Sequence, residues 1–189
     1  MAVLADDRHI LPNPAVGRKS ACGLIFATRF ADSYALKGPF RRTLGVACMP
    51  IVRATRRVHF SAAHRLHRPE WSDARNTEVF GECANPLWHG HNYELEVTVE
   101  GPVDPETGFV MDLKRLRDML DERVIRDVDH RNLNLQVSWM EGVNPTAENL
   151  VVAIWERVAP ALPTGIRLVR IVLHETPRNA VEYLGEASA

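Results

Sequence analysis

The chain has 189 residues, 46% of them hydrophobic and 25% charged, with a net charge of −1. That is enough for one domain with its own core. The near-neutral balance gives no electrostatic basis for binding nucleic acid or an anionic membrane surface, and no apolar run reaches the roughly 18–20 residues of a membrane span. Three cysteines, Cys22, Cys48 and Cys83, are too few, and odd in number, for a disulfide framework. They point to a reducing, cytoplasmic setting in which Cys83 is free to be a thiolate.

The chain changes character near Met49. Before it, residues 1–48 show no sustained helical or strand period, carry scattered Gly and Pro, and are net basic. The apolar stretch 21–27 is short and is followed by Thr28 and Arg29, so it does not read as a signal peptide. Residues 1–48 are expected to be a disordered extension or the product of an over-long gene model. A targeting peptide is the third option, against which Asp6 and Asp7 count. Residues 49–189 form the expected catalytic domain.

From there the pattern is regular. Residues 51–63 read as a first strand and 91–100 as a second, in which Tyr93, Leu95, Val97 and Val99 alternate with polar residues. Pro102 to Gly108 is a turn. A first helix spans residues 112–128, with Asp112 as cap and Leu113, Leu116, Met119, Leu120, Val124 and Val128 as one apolar stripe. A second helix follows Asn144-Pro145, capped by Thr146, with Glu148 in its first turn and Leu150, Val151, Ile154 and Val158 buried. Residues 166–175 and 180–185 are the last strands. The order predicts an α+β domain: a four-stranded antiparallel sheet with two helices on one face.

Chemistry concentrates at a few positions. His89-Gly90-His91 places two imidazoles at i and i+2, on one side of an extended chain. His64 closes the first strand and meets that pair if the first two strands run antiparallel. Three neutral imidazoles with one open coordination position form a catalytic zinc arrangement, although an isolated His-x-His also arises by chance. His59 has the opposite strand parity, His67 lies in a loop, and His174 reads as structural. Cys83 is a small buried hydrophobe or, in a loop folded over the metal, a thiolate favoured by the dication. Asp129-His130 is either a proton-transfer pair or a helix C-terminus where His130 meets the negative dipole end. Glu148 reads as helix N-terminal support. Glu175 is a ligand-binding carboxylate or a surface residue at a turn.

Six segments, in order, resemble the 6-pyruvoyltetrahydropterin synthase family. They are Phe60-Ser-Ala-Ala-His64-Arg-Leu, Gly81-Glu-Cys83-Ala-Asn-Pro-Leu-Trp-His89-Gly-His91-Asn-Tyr, Gly108-Phe-Val-Met-Asp-Leu113, Val128-Asp129-His130-Arg-Asn-Leu, Pro145-Thr-Ala-Glu148-Asn and His174-Glu175-Thr. The resemblance implies the tunnelling fold and a hexamer of two trimers with active sites between subunits. It makes His64, His89 and His91 zinc ligands and Cys83 the catalytic cysteine. Asp129 and His130 become its proton-transfer partners, Glu175 the pterin anchor, and Thr146 and Glu148 further pterin-pocket residues. The implied reaction converts 7,8-dihydroneopterin triphosphate to 6-pyruvoyltetrahydropterin, with Zn2+ and no redox cofactor, in tetrahydrobiopterin synthesis. The nearest alternative is 6-carboxytetrahydropterin synthase, of the queuosine and deazaguanine branch. The five residues between Cys83 and His89 resemble the pyruvoyl enzymes instead. A folate-synthesis branch resembles these but uses glutamate in place of the cysteine, and Glu82 stands beside Cys83. A non-catalytic pterin- or metal-binding module would lack the thiol or the relay, and both are present.

Overall fold

The computed structural model describes residues 49–186. The expected extension, with His9, Cys22 and Cys48, lies outside the described residues.

A five-stranded sheet has the order β3-β1-β2-β4-β5. The strands are β1 (Ile51–His64), β2 (His89–Pro102), β3 (Arg131–Asn132), β4 (Arg167–Thr176) and β5 (Asn179–Tyr183). β1 and β2 pair antiparallel along their whole length, from Ile51 opposite Pro102 to His64 opposite His89. β4 and β5 continue the antiparallel ladder. The expected four-stranded antiparallel sheet is therefore corrected: β3 adds a fifth strand, parallel to β1 at Ala62–Arg131 and Ala63–Asn132, and makes the sheet mixed. A two-residue strand carries no periodic pattern and forms only because the chain returns to this edge.

The helical elements are α1 (Asp73–Phe80), α2 (Leu113–Leu120) and α4 (Ala147–Val158), with α3 (Arg126–Val128) joined to α2 through a π turn at Asp121–Ile125. Residues 113–128 are thus one continuous helical stretch, so three helices replace the two expected. Asp112 and Thr146 cap α2 and α4 as expected, accepting from the N–H groups of Lys114 (2.8 Å) and Asn149 (3.2 Å). The helix not foreseen, α1, buries only Asn76, so it has no apolar stripe to read.

Alternation sorts each strand into two faces. Phe60 and Ala62 of β1, Tyr93, Leu95, Val97 and Val99 of β2, and Leu168, Ile171 and Leu173 of β4 point inward. A bulge opposite Thr98 and Val99 lets Leu168 and Ile171 share that face despite their spacing. Against them pack Leu116, Leu120, Val124 and Val128, and Leu150, Val151, Ile154 and Val158, all at most 2% exposed. Leu113, expected in the first stripe, is 41% exposed instead. Within the π turn, the carbonyl of Arg123 accepts from Arg157 of α4 at 2.7 Å. Among the described residues, no helix is long and apolar enough to cross a membrane.

Candidate active site

The antiparallel register settles the geometry of the three histidines. His64 lies directly opposite His89, and His91 follows two residues on, so all three share the inner face at one end of the sheet. Their ligand nitrogens lie within 4.8 Å of one another. Gly90 points the other way, where a Cβ would come within 3.0 Å of the Ala62 carbonyl oxygen; a side chain there would push the two strands apart. The residue before this segment, Trp88, has a φ of 69°, a left-handed backbone that marks local strain beside a functional position.

The protonation of His64 and His89 follows from their neighbours. His64 is fully buried, and its Nδ1–H donates to the Pro145 carbonyl at 2.8 Å. That fixes the tautomer and leaves a lone pair on Nε2, 3.0 Å from His89 Nε2. Burial lowers the His64 pKa to about 4, with His89 and His91 adding to the effect against the Pro145 bond. Burial, then His91, also lowers that of His89. His91 Nε2 is buried without a hydrogen-bond partner. Convergent imidazoles, two with a buried ring nitrogen that lacks a partner and one locked from behind by a carbonyl, are what a divalent cation needs. The residues fit a metal of the zinc class. The set of three histidines is the one expected.

Glu175 joins them. Two positions beyond Leu173 on β4, its side chain shares the inner face, and Oε1 lies 3.8 Å from Nε2 of both His64 and His91. Its side chain is 20% exposed and adjoins the triad.

Cys83 occupies a one-turn 3-10 segment, Gly81–Ala84, between α1 and β2. Its carbonyl accepts from the Leu66 N–H at 2.8 Å, and the neighbouring Ala84 carbonyl accepts from Arg65 Nε at 2.8 Å. The cysteine is thereby tied to the residues just beyond His64. Burial pushes its thiol pKa up, and Glu175 and Glu82 push it further. The sulfur is protonated at neutral pH unless a cation opposes those carboxylates.

Asp129 and His130 lie where β1 meets β3. Asp129 Oδ1 accepts from the Ser61 N–H at 2.9 Å, and Oδ2 lies 3.0 Å from His130 Nδ1. The Ser61 bond holds the Asp129 carboxyl below the usual range, with His130 helping against partial burial. His130 adopts a positive φ of 57°, and its side chain is 81% exposed at the β1–β3 edge. Within the chain the pair makes no hydrogen bond or ion pair to Cys83, Glu175 or the three histidines among the described residues. A depression of about 510 Å3 lies at this edge, lined by Ser61, Gly90, His91, Asn92, His130 and Gln136, among others. A larger one, about 710 Å3, lies along α1 and contains none of the site residues.

Thr146 and Glu148 sit just past Pro145, whose carbonyl holds His64. The Thr146 hydroxyl is used as a helix cap, and Glu148 is exposed in the first turn of α4. As expected, His59 lies on the opposite face, His67 in a loop, and His174 outside the triad, 3.5 Å from Glu96. The role of the Pro145 carbonyl was not legible in the sequence: Asn144-Pro145 marks only a turn.

The comparisons agree with this geometry. The family model described as 6-pyruvoyl tetrahydropterin synthase matches residues 53–186. The 6-pyruvoyl tetrahydrobiopterin synthase of Poecilia reticulata is 48% identical over 132 residues, covering 70% of this chain and 89% of its own. The Homo sapiens protein of that name is 42% identical over 134 residues, covering 71% and 92%. The solved structure of Caenorhabditis elegans 6-pyruvoyl tetrahydropterin synthase superposes with a TM-score of 0.68 at 41% identity, over 73% of this chain and 98% of that one. With the described sheet, the histidine triad and this match in hand, the chain belongs to the 6-pyruvoyl tetrahydropterin synthase family.

Proposed function

We propose that the chain is a zinc-dependent lyase that eliminates triphosphate from 7,8-dihydroneopterin triphosphate and yields 6-pyruvoyltetrahydropterin. The observation that carries the reading is the meeting of three imidazoles with Glu175, 3.8 Å from two of them. His64, His89 and His91 hold the ion, which when bound supplies Lewis acidity and a template for the substrate's side-chain hydroxyls. Cys83 removes a proton from the side-chain carbon as its thiolate. Glu175 accepts hydrogen bonds from the amino-pyrimidinone edge and fixes the ring, so the reacting carbon meets the sulfur. Thr146 and Glu148 extend the ring pocket from the start of α4. The redox change is internal to the substrate.

Asp129 and His130 complete the proton transfers, and the reading assigns them to the site of a neighbouring subunit. The absence of any hydrogen bond or ion pair between them and Cys83 among the described residues supports this, as does the exposed setting of His130. The assembly proposed is a hexamer of two trimers joined through sheet edges. Much of β1 is unpaired on its outer side, since β3 reaches only Ala62 and Ala63, and Ile51 at its start is 59% exposed. The catalytic domain proposed is residues 49–189, preceded by an extension, and the location proposed is the cytoplasm.

The test is to incubate the zinc-loaded protein with 7,8-dihydroneopterin triphosphate and identify products by mass spectrometry, with Cys83→Ala in parallel. The pyruvoyl pterin and triphosphate should appear without acetaldehyde. Cys83→Ala should keep its metal and lose roughly 10²- to 10⁴-fold in kcat. A carboxypterin with acetaldehyde would move the chain to the deazaguanine branch, and full activity of Cys83→Ala would remove the cysteine from the mechanism.

A further inference from the structure

The β1–β2 ladder stops at His64 and His89, yet the four residues that follow His64 are not left to solvent. Every backbone N–H from Arg65 to Arg68 has a partner. Three of the four partners are asparagine side chains, and the fourth is the carbonyl of Cys83.

Asn134 brackets Arg65, its Oδ1 accepting from the N–H at 2.9 Å and its Nδ2 donating to the carbonyl at 2.9 Å. Leu66 N–H donates to the Cys83 carbonyl at 2.8 Å. Asn144 Oδ1 accepts from the His67 N–H at 3.1 Å. Asn76 brackets Arg68, accepting from its N–H at 2.8 Å and donating to its carbonyl at 3.0 Å. A carboxamide offers one acceptor and a donor in the geometry of a peptide group, so each bracket replaces a strand partner. Asn76 is 1% exposed and its Nδ2 also reaches the Trp71 and Ser72 carbonyls.

The three asparagines come from separate places, and each place leads to the site. Asn76 lies on α1, which runs directly into the turn that carries Cys83. Asn134 follows Asp129-His130 in the chain. Asn144 precedes Pro145, whose carbonyl orients His64. A part-buried polar network of this kind, with fully buried Asn76 among its members, rigidifies the segment it encloses.

We infer that Asn76, Asn134 and Asn144 are positioning residues that set the distance between Cys83 and the metal-binding histidines by clamping the backbone of residues 65–68. The inference rests on the proposed role of Cys83. Displacing a reacting group by about 1 Å costs on the order of 100-fold in rate, so loss of a clamp should appear in kcat rather than in KM or metal content.

The experiment compares the zinc-loaded full chain with Asn144→Ala, Asn144→Asp, Asn134→Ala and Asn134→Asp. It measures kcat and KM with 7,8-dihydroneopterin triphosphate, bound zinc, and the rate of Cys83 alkylation by iodoacetamide, read on the Cys83 peptide by mass spectrometry. Asn144 uses only its acceptor toward His67, so Asp should rescue it to within about 3-fold of the parent, whereas Ala should lose roughly 10- to 100-fold in kcat. Asn134 uses donor and acceptor, so its Asp variant should fall between Ala and the parent. KM and zinc stoichiometry should stay unchanged, and the alkylation rate should shift in both Ala variants. Unchanged kcat and alkylation in folded, zinc-replete Asn144→Ala would overturn the clamp, as would equal losses in Asn144→Asp and Asn144→Ala. Full activity of Cys83→Ala would instead strike the underlying mechanism, leaving the alkylation rates to decide the clamp on its own.

Discussion

The two faces of the β1–β2 pair obey opposite rules. On the outer face every glutamate of β2 is matched. Glu100 takes Arg53 at 2.7 Å and Arg167 at 2.5 Å, Glu94 takes Arg57 at 3.4 Å, and Glu96 takes both Arg57 and Arg170. Thr55 and Thr98 share a hydrogen bond of 2.9 Å, and Ser61 and Asn92 one of 2.8 Å. On the inner face, at the end of the same strands, Nε2 of His91 and Nδ1 of His89 are buried with no partner. A buried polar atom without a partner costs stability. It is tolerated where an incoming ligand supplies the missing bond. Arg56 Nε and His174 Nε2 are buried without a hydrogen bond as well, but only His89 and His91 belong to a convergent triad with His64, so that end of the inner face is the one that binds.

The sharpest way to break this contrast is His89→Ala. It should abolish binding of zinc measured by titration calorimetry, an effect beyond the roughly 10–100-fold caused by losing a residue that merely orients a ligand. Unchanged affinity would mean that the three nitrogens are not a metal site. Next comes Gly90→Ala, which places a methyl group 3.0 Å from the Ala62 carbonyl oxygen. It should cost about 1–3 kcal/mol in urea denaturation and weaken zinc binding by moving His89 and His91 away from His64. A stability equal to the parent's would show that the two strands can separate locally at no cost.

Acid should act first on the inner face, at pH values above those at which the paired outer-face carboxylates Glu96 and Glu100 protonate. Burial lowers the folded-state pKa of His64 to about 4, against about 6.5 in the unfolded chain. The unfolded state therefore binds more protons between those values. The stability associated with neutral His64 is complete above about pH 6.5 and is lost as pH falls through about 4. Urea midpoints of the chelated protein should drop across that window and should drop less in His64→Gln; parallel curves would contradict it. The smallest effect belongs to the outer face. Arg57→Gln removes an ion-pair partner that is 62% exposed, so solvent screening should hold the loss below about 1 kcal/mol. A larger loss would mean that the charged ladder, too, depends on burial.

Much of the fold could be read from local pattern. The alternation of residues 93–97, the stripe from Leu116 to Val128, and the caps at Asp112 and Thr146 all follow from one period or one side chain and appear as expected, whereas Thr98, expected on the polar face, is buried. The parts that escaped have no local signature. α1 buries a single asparagine and displays no apolar face. β3 is two residues long and exists only as a partner for β1. The bulge on β4 depends on where β2 lies, not on the sequence of β4 alone.

The site divides along the same line. Residue chemistry and spacing by themselves determined that His89 and His91 share a face, that His64 joins them if the strands pair antiparallel, and that Cys83 lies close by in a loop. These conclusions need only side-chain identity and the two-residue period of a strand. Tertiary structure alone decided the rest. It opposed His64 to His89 in register, put the Pro145 carbonyl behind His64, and brought Glu175 to the triad from a strand more than eighty residues away in sequence. It also set Asp129 against the Ser61 N–H and His130 at the exposed β1–β3 edge. The reason is physical: each of these is a contact between segments distant in the chain. Hydrogen-bond partners and burial belong to the packed molecule rather than to any stretch of residues.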